Sequence, residues 1–445
     1  MMYKCSFISF ENERNADELL LPEGIYHKFD VSRQLTLRAG ASSLNVNCLP
    51  TGRGDSQITL KTSHPLFSSI PRMENILVKL DPAKNSLSIG PVTALLIDHC
   101  HEDKLNTHSL KEYFTECQRW FQLKGGLFYL LPVTSLLKNG SEAWVFNQSE
   151  WQKKIMLLPH VIYNRSHSRK LETHPLYESA LKRTEGQSVH LFNSSFLSKD
   201  IVYKQLRNSK QLHPHLPETV QGIDRIDEML SIYKDVFVKA VNGSKGRYIL
   251  RVQQRANDYL VYQNSFTSKR TLTFPTYSSL YKQLQSWCHA SHYIVQQTIP
   301  FVSVNDQPLD FRFLCHKNHK GTWSVISSVG RIASEKQFVA NIDQGGQIES
   351  PLSIMTSLFP HEDGKVILVK MKALALSASS FLSQHLDGQY AEFGIDIGID
   401  GNGKPWIIEI NSKPSKRTFM DNERVRPSVK ALYEYSYNIW NEKED

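Results

Sequence analysis

The chain has 445 residues, of which 40% are hydrophobic and 10% aromatic, enough for two or three domains with packed cores and unlike a disordered or low-complexity polymer. Its net charge of +8 and pI near 9.0 admit an anionic partner, whether nucleotide, nucleic acid or acidic polymer, without choosing among them. Basic residues are spread along the sequence, with Lys-Arg clusters at 268–270 and 413–417, so the charge reads as solvated surface and nucleic-acid binding is disfavoured.

Residues 1 to about 90 hold short alternating runs at 56–61 and 75–80, bounded by Gly, Pro and Asn, which predict a small β-rich domain. The start Met1-Met-Tyr-Lys-Cys-Ser, followed by the charged stretch 11–14, does not resemble a secretory signal, and the expectation is a cytoplasmic protein. Arg53-Gly-Asp55 reads as a turn. From 91 to about 210, strand-like runs at 92–98, 126–131 and 155–158 alternate with helical stretches at 110–121 and 196–206, the pattern of an α/β domain. Asp98-His-Cys-His-Glu-Asp103 has metal-ligand residue types, but neighbours on a strand point to opposite faces and no second pair at zinc spacing follows, so it reads as a polar loop. The six cysteines contain no CxxC pair and fit reduced thiols rather than a disulfide framework.

The third part, 211–445, predicts a helix at 224–234, a glycine-bearing hairpin, a strand-rich block, a helix at 366–386, a second hairpin and a closing helix from 427 to about 440. Lys370 and Lys372 interrupt the most apolar run, so it reads as an amphipathic helix and no membrane span is expected.

In the first hairpin, 236–252, Asn242 to Arg247 form a loop whose Gly243, Ser244 and Gly246 suit backbone amides to phosphate, and Lys239 alternates away from Val238 and Ala240 towards the same place. There is no GxxxxGKS/T and a strand follows, so this is not a Walker loop; taken alone it reads more often as an ordinary hairpin turn. Tyr293 to Ile299 is an apolar strand carrying Gln296 and Gln297, which suits an adenine edge or a strand leaving the core. Asp310 and Arg312 share a face, and Arg331 and Asn341 add a cation and an amide. The two arginines suit a transferring phosphoryl group and a carboxylate, with surface ion pairing as the plain alternative.

The second hairpin, 393–411, can be folded on paper around a two-residue Asn402-Gly403 turn. Asp396 then faces Glu409; Phe393, Ile395, Ile397, Ile399, Trp406, Ile408 and Ile410 form a core face, and Gly394, Asp396, Gly398, Asp400, Ile407, Glu409 and Asn411 a polar one. Facing carboxylates destabilise a sheet unless a cation lies between them or one stays protonated. Magnesium answers this, with Asn411 adding an amide oxygen; a solvated acidic hairpin end is the alternative.

In this joint order, from lysine hairpin through Ile-Val-Gln-Gln and Asp-Phe-Arg to Ile-Glu-Ile-Asn, residues 199 to 415 resemble the ATP-grasp superfamily. Ser88-Ile-Gly-Pro-Val92, His160 to Arg169, Val241 to Arg247 and Glu409-Ile-Asn-Ser-Lys-Pro414 look like the YheC/YheD proteins of spore-forming bacilli. The resemblance implies an α/β (α+β) ATP-grasp fold behind an α/β domain and an N-terminal β-rich domain. It implies Lys199 and Lys239 on ATP phosphates, Gln296 and Gln297 at the adenine, and Asp396, Glu409 and Asn411 on magnesium, or manganese in its place. Arg312, Arg331 and Asn341 match groups at the phosphate and acyl-phosphate end. The implied activity is a ligase that uses Mg-ATP to activate a carboxylate as an acyl phosphate for attack by an amine, with a role in spore formation and coat components as partners. The implied alternative is a non-catalytic nucleotide-binding component of the endospore coat. Tyr248 stands where the family often has another glycine, and Ser415 where Pro-Gly is usual.

Overall fold

The computed structural model of the chain describes residues 2–5, 17–30, 34–52, 58–64, 67, 70, 76–98, 105, 110–138, 142–147, 150–242, 249–264, 269–288, 292–333, 346–416 and 424–443, and its strands form four sheets. The first has seven strands in the order Met2–Cys5, Ile76–Asp81, Ser86–Ile89, Leu35–Ala39, Ser42–Pro50, Glu18–Leu21, Thr59–Lys61. Leu35–Ala39 and Glu18–Leu21 bury alternate residues, because one side of each faces the core, whereas Ile76–Asp81 and Ser86–Ile89 are buried almost throughout.

The second sheet sets four parallel strands side by side, Leu127–Pro132, Val92–Ile97, Val161–Asn164 and His190–Phe192, with the antiparallel hairpin Glu142–Asn147 and Glu150–Ile155 on one edge. Val92–Ile97 and Leu127–Pro132 are buried along their whole length because both faces are covered. Ala94, Leu96 and Tyr129 meet the first sheet, while Leu95, Ile97 and Phe128 meet the helices Lys111–Lys124 and Pro427–Lys443. One core thus runs through the first two sheets, and the chain changes sheet near residue 90 inside it. The strand expected at 155–158 ends at Ile155 instead. Leu158 gives its carbonyl to the Ala41 amide of the first sheet and Pro159 comes next without a donor, so Met156 and Leu157 are buried in an irregular connection.

The third sheet is antiparallel, in the order Thr219–Gln221, Tyr293–Gln297, Asp235–Ala240, Ile249–Gln254, Tyr259–Asn264, Lys269–Phe274, and packs on the helices Ile226–Tyr233 and Tyr277–Cys288. The fourth runs Gln347–Glu349, Trp323–Ile332, Gln307–Lys317, Glu392–Ile399, Pro405–Asn411, with Ser303–Val304 paired to Gln307–Lys317. The helices Lys199–Arg207 and His361–His385 complete its core. By length and composition alone, His361–His385 is apolar enough to cross a bilayer. In the fold, Ile367, Met371, Leu374, Ala378 and Leu382 pack into the core while Lys370 and Lys372 face out, the amphipathic arrangement the two lysines suggest.

Candidate functional site

The second hairpin closes with three residues rather than two. Gly403 N donates to Asp400 O at 3.0 Å, Asp400 N to Lys404 O at 3.1 Å, and Gly403 takes φ +75°, a type I turn followed by a left-handed residue. The Asp400 carboxylate stabilises it, accepting from Asn402 N and Lys404 N at 3.0 Å and from Trp406 Nε1 at 2.9 Å. The extra residue slips the register, so Ile397 faces Ile407 and Gly398 faces Trp406. A bulge beside Asp396 takes up the slip, and from there on Asp396 faces Glu409 and Gly394 faces Asn411, as the sequence predicts. Between turn and bulge the two faces exchange: Ile407, expected on the polar face, lies in the core, and Trp406, expected in the core, lies half-buried against Asp400.

The facing carboxylates have counter-ions within the chain. Asp396 sits between Glu409 on one neighbouring strand and Arg312 on the other. Arg312 grips Asp396 with Nε and with Nη2 at 2.9 Å; Arg331 donates from Nε and Nη2 to Asp310 at 2.5 and 2.7 Å and reaches Asp396 Oδ1 at 3.0 Å. Lys199 Nζ, on the first residue of its helix, lies 2.8 Å from Glu409 Oε1. The cations that the facing carboxylates call for are supplied here by guanidinium and ammonium groups of the chain itself. The arginine pairs are not surface pairs either, since Asp310 and Asp396 are 8% and 5% exposed. Burial opposes ionisation of Asp396, but the Arg312 and Arg331 charges outweigh it and hold its pKa below the usual carboxylate value. Burial, with the Asp396 charge, outweighs Arg331 at Asp310 and holds that carboxyl above it.

Lys239 alternates out of its strand as expected and donates to Gln296 Oε1 at 2.5 Å; Gln296 Nε2 in turn donates to Thr219 Oγ1 at 2.9 Å. Burial, aided by the Lys199 charge and opposed by Glu409, lowers the Lys239 pKa to about 8. Gln297 is engaged with Glu218, donating its amide to Glu218 O at 2.8 Å and accepting Glu218 N at 3.3 Å on its side chain. The Gln296 side chain thus holds a lysine here. Lys199, Lys239, Gln296, Arg312, Arg331, Asp396 and Glu409 come together, with Asn411 two residues beyond Glu409. Gly243, Ser244, Gly246 and Asn341 lie outside the described residues, as do Tyr248, Arg53 to Asp55 and 99–103.

Sequence reasoning missed the role of the segment after Asn411. A Cβ at Gly394 would meet Pro414 Cβ at 2.6 Å, so the glycine lets residues 412–416 fold back over the strand. Lys413 and Lys416, expected in a solvated cluster, are buried: Lys413 pairs with Glu172 and donates to Ser166 O at 2.7 Å, and Lys416 pairs with Glu392, which also accepts the Tyr163 hydroxyl. Buried Arg165 donates to Pro414 O at 2.9 Å. Burial is the leading cause that brings both lysines down to about 8. Arg165 to Arg169 leave the carboxyl end of the parallel strand Val161–Asn164, the usual ligand side of such sheets. Asp98 fixes this loop, accepting from Ser166 Oγ at 2.5 Å, His167 N at 3.0 Å and Ser168 N at 3.3 Å. Arg169 donates to Asn242 Oδ1 and lies 5.0 Å over the Phe196 ring, meeting no carboxylate among the described residues. The one signal for these groups was the polar run after an apolar strand at 160–169.

A family model described as YheC/D-like ATP-grasp matches residues 188–439, more than half of the chain. The chain belongs to that family. It is similar to the endospore coat-associated protein YheD of Bacillus subtilis (strain 168), 30% identical over 282 residues, covering 62% of each chain. It is also similar to the endospore coat-associated protein YheC of that organism, 25% identical over 296 residues, 63% of this chain and 77% of that one. The chain thus matches less than two thirds of YheD's length. Among solved structures, the ATP-grasp ligase PsnB complexed with minimal precursor aligns at a TM-score of 0.44 and 13% identity, over 77% of this chain and 98% of that chain.

The family implies ATP and a divalent ion. Asp396, Glu409 and Asn411 fit a hard cation in donor chemistry, two carboxylates and an amide oxygen on adjacent strands. Their charge is already matched, however, and among the described residues no group of three or more His, Cys, Asp or Glu is gathered to hold a metal.

Proposed function

We propose that the chain is an ATP-dependent ligase: the γ-phosphoryl group of ATP passes to a carboxylate, giving an acyl phosphate and ADP, and an amine then displaces inorganic phosphate to form the amide. The observation that carries this reading is the meeting of Lys199 and Lys239 with the Asp396–Glu409 hairpin pair. Lys239, held by Gln296 and lacking a carboxylate partner among the described residues, takes a phosphate, which restores its full positive charge. Gly243, Ser244 and Gly246 cover the phosphates with backbone amides, and Gln296 and Gln297 border the adenine. Asp396, Glu409 and Asn411 would hold magnesium, or manganese, which when bound acts as a Lewis acid on phosphate oxygens. Arg312 and Arg331 neutralise charge at the transferred group, and the Asn341 amide donates a hydrogen bond to it. Arg169, on the preceding α/β unit, meets the carboxylate substrate.

In this reading 211–445 is the ATP-grasp unit, 91–210 the α/β unit that precedes it and 1–90 the β-rich unit. In this reading the protein works in the cytoplasm, and its relatives' description as endospore coat-associated suggests association with the spore coat. A second reading, a coat component that binds nucleotide without turnover, is favoured by Ser415 in place of the usual glycine. Calorimetry with magnesium and a non-hydrolysable ATP analogue, followed by ADP release across a panel of carboxylates and amines, tests both. No magnesium-dependent nucleotide binding at millimolar concentration refutes both, and ADP release dependent on a carboxylate decides for the ligase.

A further inference from the structure

Between the last strand of the second sheet, His190–Phe192, and the helix that begins at Lys199, residues 193–198 run across the open end of the Asp396–Glu409 hairpin. Asn193 makes the central contacts. It is fully buried and takes φ +54°, a left-handed conformation that asparagine tolerates better than most side chains. Its amide has two donor hydrogens and an oxygen with two lone pairs, and all four are used. Nδ2 donates to Glu392 O at 2.9 Å and to Ser412 O, while Oδ1 accepts Ala391 N at 3.1 Å and Glu392 N at 3.2 Å. The side chain thus exchanges both bonds with Glu392, as a residue on a neighbouring strand would. A side chain is needed there because the ladder between the two hairpin strands stops at Gly394 opposite Asn411, where Pro414 folds back over the glycine, and buried backbone groups beyond it need partners. The same segment holds the other strand end. Ser412 Oγ, next to Asn411, donates to Ser195 O at 2.8 Å and accepts Leu197 N at 3.3 Å. The chain then enters the helix at Lys199, whose Nζ lies 2.8 Å from Glu409 Oε1. A bulge interrupts the ladder beside Asp396, so the ladder alone fixes the two strand ends less firmly than an unbroken one would.

We infer that Asn193 is a positioning residue of the candidate site: by bridging Glu392 and Ser412 it sets Asn411 and Glu409 against Asp396, and it ties that arrangement to the α/β unit from which it comes. The inference rests on the proposed nucleotide reading. It makes Asn193, which touches neither nucleotide nor metal in that reading, a determinant of how tightly they are held.

The test uses the full chain with magnesium and a non-hydrolysable ATP analogue, affinity being measured by calorimetry and stability by chemical denaturation. The variants are Asn193→Gly, which keeps the left-handed backbone and removes the amide, Ser412→Ala, Asn411→Ala, and Asn193→Gly combined with Asn411→Ala. Leu37→Ala, which removes buried packing in the first sheet, is the control for stability alone. Asn193→Gly should bind the analogue about tenfold more weakly or worse, the usual cost of losing a group that orients a ligating residue. Ser412→Ala should show a smaller loss, Leu37→Ala none, and Asn193→Gly should cost less in the Asn411→Ala background because part of what it positions is gone. Unchanged affinity in Asn193→Gly, a loss that Leu37→Ala reproduces, or a loss equally large in both backgrounds overturns the inference and leaves the nucleotide reading standing. Should Asn193→Gly fail to fold, Ser412→Ala decides, weaker binding supporting the inference and unchanged binding overturning it. Failure of the analogue to bind wild type removes both.

Discussion

Glu392→Gln is the sharpest test of how the site is held. Glu392 is fully buried at the head of the strand that leads to Asp396, and it accepts from Lys416 and from the Tyr163 hydroxyl. Two buried cations depend on it, because Arg165 has Tyr163 and the Pro414 carbonyl as its described hydrogen-bond partners. An ion pair at about 4 Å in an effective dielectric of about 20 is worth about 4 kcal/mol, and breaking a buried pair from one side costs about 3–5 kcal/mol because the other charge stays behind. The expected loss is therefore about 3–5 kcal/mol, concentrated in the fourth sheet and the 412–416 segment. A chain with four sheets need not unfold in one step, so native-state hydrogen exchange of the Glu392–Ile399 amides is the appropriate measure. The double variant Glu392→Gln/Lys416→Met should recover part of the loss, since it removes one stranded ammonium. A loss below about 1 kcal/mol, the level of an exposed pair, or a double variant no better than the single one, would refute the reasoning. Glu392 also carries a sign in pH: burial raises its pKa, Lys416 and its neighbours outweigh this, and the net lowering means its contribution is present above the ordinary carboxylate value and lost as pH falls through the lowered one.

Glu409→Gln should weaken magnesium-dependent nucleotide binding at least about tenfold with the fold intact, because on the proposed reading it removes a metal ligand and a charge together; equal affinity by calorimetry would count against the site. Lys239, lowered to about 8, is neutral in roughly half of the molecules at pH 8 and should react with acetic anhydride faster than exposed lysines, with Mg-ATP protecting it; mass spectrometry of the labelled peptide decides. Because the unfolded chain keeps that lysine's proton up to about 10.5, the same shift predicts a penalty below pH 8 that is relieved as pH rises from 8 to 10.5, an effect absent in Lys239→Met. Gly394→Ala, whose Cβ would meet Pro414 at 2.6 Å, should lower stability by about 1–3 kcal/mol and displace residues 412–416; an unchanged unfolding midpoint and unchanged nucleotide affinity would show that the close approach has no role.

Much of the hairpin was legible because strand alternation and a glycine turn are local. Asp396 facing Glu409 needed no tertiary information, and the pairing survived an extra turn residue only because a bulge absorbed the slip. The bulge itself left no sequence signal, so Trp406 and Ile407 were placed on the wrong faces. Lys413 and Lys416 were misread for the opposite reason: a lysine's local sequence says nothing of carboxylates such as Glu172, far away in the chain, that permit its burial.

By itself the sequence determined the order of strands and helices, the alternation that puts Lys239, Asp396 and Glu409 on the faces they occupy, and the motif order by which the family is recognised. Tertiary structure alone decided which charges neutralise which. Arg312 and Arg331 meet Asp396, Lys199 meets Glu409, and Arg165 with Lys416 gathers around Glu392, because side chains far apart in the chain reach one another only after the sheets have packed. Coulombic partnership depends on distance in space, which local patterning does not encode.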